Sequence, residues 1–119
     1  MRHVTMFRFV AVLFLLMLPS WVLAKRAAPA KVEPVVFEGV RYGAPNDNGR
    51  RGYVQAWDIK TEKKLWELTV FTNLINAALE EDVQWVFITK LEIRGGMLIV
   101  TSEKEKVYRV DLKKRAVIE

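Results

Sequence analysis

The chain of 119 residues has no cysteine and a single histidine, His3. The first absence excludes disulfide staples and thiol chemistry. His3 lies in the N-terminal stretch read below as a removed signal, so the mature chain is expected to lack the usual ligands for zinc, copper and haem, and the base that serine and cysteine hydrolases need. No run of acidic or basic residues is long enough to mark a nucleic-acid surface, and the net charge of +5 is mild.

What is present begins with an address. Arg2, His3 and Arg8 precede an apolar run from Phe9 to Leu18, a Pro-Ser break, and a small residue at Ala24. Basic start, short apolar core and small-residue exit are the three parts of a secretory signal. The run is about half the roughly 20 residues that a membrane span requires. Residues 1–24 are therefore expected to be removed on export, to the periplasm or outside the cell. Membrane contact is expected only through this transient segment. The mature chain, 95 of the 119 residues with net charge +3, is the size of one small domain. Residues 25–34 (KRAAPAKVEP) read as a flexible leader, and 35–119 as a single β domain.

Within that domain the residue pattern is one of strands. Val35 to Tyr42 reads as a first strand, and Gly43 to Arg51 as a loop. Tyr53, Gln55, Trp57 and Ile59 alternate with Val54, Ala56 and Asp58, the period of two that a strand imposes. Lys60 to Lys63 is a turn, and Lys64 to Phe71 the return strand. Leu74, Ile75, Ala78 and Leu79 fit a short amphipathic helix over Asn73–Asp82, capped by Thr72 or Asn73. Val83 to Ile93 alternates again, Gly95-Gly96 is a hairpin turn, and Met97 to Thr101 is apolar enough to lie centrally, covered on both sides. Lys106 to Leu112 and a short Ala116–Ile118 end the chain. The expected fold is all-β: an antiparallel, blade-like meander of six to seven strands with one short helix.

Two stretches echo each other 53 residues apart: Val54 to Lys60 (VQAWDIK) and Val107 to Lys113 (VYRVDLK). The first continues into Ala56-x-Asp58-x-x-Thr61-Glu62-x-x-x-Trp66, which resembles the repeat motif of quinoprotein-like β-propellers (pyrroloquinoline-quinone repeats), Ala-x-Asp-x-x-Thr-Gly-x-x-x-Trp. Ala56, Asp58, Thr61 and Trp66 match, and Glu62 replaces the glycine. The resemblance implies Asp58 and Thr61 accepting backbone N–H groups of the turn, a positive φ at Glu62, and Trp66 docked on apolar surface. It implies one or two blades, since blades run to about 40 residues or more and propellers need several. The related quinone enzymes bind calcium and stack the quinone on a vicinal disulfide. Without cysteine none of that cofactor site carries over, so the implication is one of shape, and no cofactor or metal is expected.

Other residues invite a site and have plainer readings. Asn46-Asp47-Asn48-Gly49 lacks the alternating acids of a calcium loop and reads as an Asx-Gly turn. Glu80, Glu81 and Asp82 read as a solvated end. Tyr53, Trp57, Trp66, Arg50 and Arg51 are the candidate ligand or partner residues, with Trp57 expected to be the exposed tryptophan. No catalytic constellation is found. The functional expectation is an exported non-enzymatic binding or scaffolding module that engages a protein partner or self-associates; the alternative is a divergent sugar- or quinone-binding module. Val35–Tyr42 and Lys106–Leu112 are the expected sheet edges. Mass spectrometry of the exported protein is expected to show a chain beginning at Lys25; an intact Met1 on a soluble cytoplasmic product would refute the export reading.

Overall fold

A computed structural model describes residues 28–118. The signal-like stretch 1–24 lies outside the described residues. The fold is all-β, as expected. Eight strands form two four-stranded antiparallel sheets. Sheet A contains β1 (Val35–Phe37), β2 (Val40–Gly43), β3 (Arg51–Asp58) and β4 (Lys64–Thr72). Sheet B contains β5 (Ile88–Arg94), β6 (Met97–Ser102), β7 (Val107–Asp111) and β8 (Ala116–Val117). Each sheet is a meander in which every strand pairs with its neighbours in sequence.

Pairing puts the apolar residues of each sheet on one face. In sheet A, Tyr42 pairs with Ala56, Ala56 with Trp66, and Val54 with Leu68. In sheet B, Ile93 pairs with Leu98, Leu98 with Val110, and Val110 with Val117. These two faces close on each other as a single core, in which Val54, Ala56, Leu98, Val100 and Val110 are wholly buried. Phe71 stacks on Tyr108 across the sheets with ring centroids 5.2 Å apart. Arg115 of sheet B lies over the Trp66 ring of sheet A at 5.6 Å. Val32, within the stretch read as a leader, is also seated in this core. Met97–Thr101 is central as expected: Leu98, Ile99 and Val100 are all buried.

The two sheets repeat one another at their first and last turns. Their first hairpins turn on Glu38-Gly39 and Gly95-Gly96, pairs in which both residues have positive φ, the requirement of a type I′ turn. Their last hairpins turn on Asp58 and Asp111. Asp58 Oδ1 accepts the N–H groups of Lys60 (2.8 Å) and Thr61 (3.2 Å), and Asp111 Oδ1 those of Lys113 and Lys114 (both 2.9 Å). Four residues after each aspartate the backbone is left-handed, at Glu62 (φ 57°) and Arg115 (φ 54°). Lys63 N–H adds a long bond to Thr61 Oγ1.

Several expectations are corrected. Val35–Tyr42 is a hairpin, not one strand, because Glu38 adopts the left-handed turn that its residue type does not announce. This brings the strand count to eight. The 73–82 stretch is a series of turns, and its helical content is one 3-10 turn at Asp82–Gln84. Leu74 is 95% exposed, so the apolar stripe has no surface to bury, and a short unpacked helix is marginal in water. The Gln84 side chain instead bonds the Asn76 backbone at both groups and the Glu80 carbonyl. The following strand begins at Ile88 rather than Val83, and a bulge between Ile88 and Lys90 resets its alternation. Lys106–Leu112 is not an edge: β7 lies between β6 and β8. The edges are β1, which lies alongside β5, and β4 in sheet A, and β5 and β8 in sheet B.

Glu62→Gly and Arg115→Gly each relieve a left-handed non-glycine residue, a conformation disfavoured by roughly 1 kcal/mol. Glu62→Gly is expected to raise stability by a few tenths to about 1 kcal/mol in urea unfolding, net of glycine's larger entropy loss on folding, and Arg115→Gly to gain less because it also takes the guanidinium off the Trp66 ring; a clear loss at Glu62 would mean that the turn geometry is different.

Candidate functional site

The alternation of β3 that buries Val54 and Ala56 turns Tyr53, Gln55 and Trp57 to the opposite, solvent-facing side of sheet A. Arg41 pairs with Trp57, Glu67 with Gln55, and Thr69 with Tyr53, so these side chains share that face. They form one connected set of polar contacts. Trp57 Nε1 donates to Gln55 Oε1 (3.3 Å) and Gln55 Nε2 donates to Glu67 Oε1 (3.1 Å). Arg51 donates to Glu67 Oε2 (3.0 Å) and to Thr69 Oγ1 (2.6 Å), and its guanidinium lies 3.8 Å from the Tyr53 ring centroid. The Tyr53 hydroxyl donates to Asp47 Oδ1.

Two groups titrate abnormally as a result. The Gln55 amide and then the Arg51 guanidinium, with Lys64 behind them, hold the Glu67 carboxyl down at about 2. Burial, and then the hydrogen bond to Asp47, push the Tyr53 hydroxyl up to about 12. At neutral pH the face therefore presents a fixed carboxylate and a neutral phenol. The set can grip a flat or polar surface, and it holds no poised acid or base.

Of the sequence candidates, the structure brings together Tyr53, Trp57 and Arg51. Trp57 is half-buried, and Tyr53 is buried rather than open. Trp66 is on the other face, packed against Tyr42 at 5.8 Å. Arg50 lies in the exposed loop and forms a bidentate pair with Glu81; Glu81 also accepts from Trp85 Nε1, and Arg50 foremost pulls its carboxyl down to about 2. Of the motif residues, Ala56 is core, and Asp58 and Thr61 build the turn.

The loops hold structural contacts that the residue pattern does not advertise. The Asn46 amide donates to the Ile88 carbonyl (2.8 Å) and accepts from the Ile88 N–H (3.1 Å), replacing a strand neighbour with a side chain. Asn73 Nδ2 joins the Gly49 and Val86 carbonyls. Gly49 and Gly52 lie so close to rings that an added Cβ would be 2.1 Å from Trp85 and 2.2 Å from Phe71. Among the described residues no group of three or more His, Cys, Asp or Glu side chains is placed to hold a metal ion. Pro29 to Pro34, the 43–46 loop and Gln55 line a shallow groove of about 420 Å³.

The Glu67 carboxyl, depressed in the folded state, stabilises the fold fully above its ordinary value of 4.5 and loses that contribution as pH falls toward about 2. Glu67→Gln is therefore expected to flatten the dependence of urea midpoint on pH across that window. Added salt should shrink the difference, since the carboxylate is solvent-accessible. An unchanged slope would remove Glu67 from the network.

A scan against protein-family models finds no match for this chain, and a search of curated proteins finds none.

Proposed function

We propose that this chain is an exported, non-enzymatic binding or scaffolding module built from propeller-blade-like repeats. The reading rests on one observation above others: both sheets are four-stranded antiparallel meanders whose first and last hairpins turn alike. A four-stranded meander is the unit from which propellers are built by radial repetition, and the motif around Asp58 points to the same shape. The solvent-facing side of sheet A carries an ordered aromatic and charged set, of the composition that favours protein recognition: Trp, Tyr and Arg. Its carboxylate is held ionised by Gln55 and Arg51, which suits a surface that docks more than one that transfers protons.

A second reading is a small-ligand module for a sugar or quinone. The groove of about 420 Å³ that reaches Gln55 favours it, since its volume falls within the roughly 300–1,000 Å³ of ligand sites, and Trp57 lies on the same face.

A photo-crosslinking residue at Gln55, on the open face, is expected to form adducts with protein in the exporting host. The same residue at Leu68, on the core face, should form none between molecules. No adduct at Gln55, together with quenching of Trp57 emission by a sugar or quinone that Trp57→Phe abolishes, would replace the first reading with the second.

A further inference from the structure

The internal packing of the two sheets is head to tail. Superposing the sequence echo places Val54 with Val107, Gln55 with Tyr108, Ala56 with Arg109 and Trp57 with Val110. The side of sheet A that is buried carries Val54 and Ala56. The side of sheet B that is buried carries Tyr108 and Val110, the counterparts of Gln55 and Trp57. The first hairpins give the same answer independently. Aligned on Glu38-Gly39 and Gly95-Gly96, the buried Tyr42 corresponds to Ile99, which pairs with Glu92 and Arg109 on the open side of sheet B. Sheet A thus uses one face of the unit and sheet B the opposite face.

One face of each kind is consequently left over. The open side of sheet A, with Trp57 and Val36, corresponds to the side that sheet B buries. The open side of sheet B, with Ile99 and Val107, corresponds to the side that sheet A buries. Both keep apolar character in the open: Val36 is 60% and Val107 52% exposed. On the open side of sheet B, Met97, Ile99, Val107 and Arg109 border a hollow of about 410 Å³. The internal stacking gathers Tyr108 and Val110 into one core with Val40, Tyr42, Val54 and Ala56, the equivalents of these residues. Repeating it would set Gln55 and Trp57 of another molecule into the hollow, with Arg109 beside the indole, a favourable cation–π partner.

We infer that the open face of sheet A takes the open face of sheet B of a second copy of this chain, extending the internal sheet-on-sheet stacking from molecule to molecule. This rests on the binding-module reading and names its partner. A head-to-tail interface closes into a ring if its rotation permits and otherwise grows as a filament. Propellers of roughly 4–8 blades would correspond to about two to four copies.

The test uses sedimentation velocity on the chain as purified after export, and on Trp57→Glu and Val107→Glu, which each spoil one face. The wild type is expected to reach the mass of about two to four protomers, or longer species, as concentration rises. Each variant alone is expected to stay monomeric with an unchanged far-UV circular dichroism spectrum. Mixed in equal amounts, the two variants should form a dimer and nothing larger, because each retains the face that the other lacks. Gln55→Lys replaces Trp57→Glu if the latter loses its spectrum. A wild type monomeric at all concentrations, variants that still assemble, or a mixture that stays monomeric overturns the inference. An adduct at Gln55 formed only with other proteins would overturn it while leaving the binding-module reading in place.

Discussion

Mutual cover of two apolar sheet faces is the constraint on which the rest of the structure depends. Among the described residues neither four-stranded sheet has a helix to lie on, and without cysteine no disulfide can hold either one closed. Val54 and Ala56 are dry because Leu98, Val100 and Val110 lie across from them, and the reverse holds equally. A single hairpin or small sheet in water is marginal without such cover. The aromatic contacts between sheets, Phe71 on Tyr108 and Arg115 on Trp66, fix how one sheet is aligned over the other.

That cover explains which parts of the fold were legible in the residue pattern. Where a strand has one dry and one wet face, as β3 does, alternation states the strand and the faces together. Where a strand lies in the middle of its sheet, as β6 does, an unbroken apolar run marks it. The Gly95-Gly96 turn was readable because glycine tolerates positive φ. The Glu38-Gly39 turn was hidden, since glutamate carries no such mark, and the repetition of the first hairpin was hidden with it. The stretch from Asn73 to Asp82 departs for a related reason. Its spacing satisfies a helix, but a helix requires a surface for its stripe, and Leu74 meets only solvent.

The candidate site divides in the same way. The aromatic members of the open face, Tyr53 and Trp57, follow from strand alternation alone. Their polar partners do not, because Glu67 and Thr69 come from the neighbouring strand in a register shifted by bulges beside Gly52 and Ala56. Trp66 separates from Trp57 for the same reason: a bulge moves its strand by one residue and carries the ring to the core side. Cross-strand register is a tertiary quantity, and the spacing of residues along one strand does not contain it.

The Asn46 amide occupies both backbone groups of Ile88 across 42 residues of sequence. Its two bonds make the start of sheet B depend on a loop that belongs to sheet A. The hairpins are local and can form on the microsecond scale, whereas this link waits on the closure of a long loop, whose entropic cost precedes any reward. The two halves, alike in plan, are thereby denied independence. Loss of either withdraws a partner from the other, so the two sheets are expected to melt together as one cooperative body rather than one after the other.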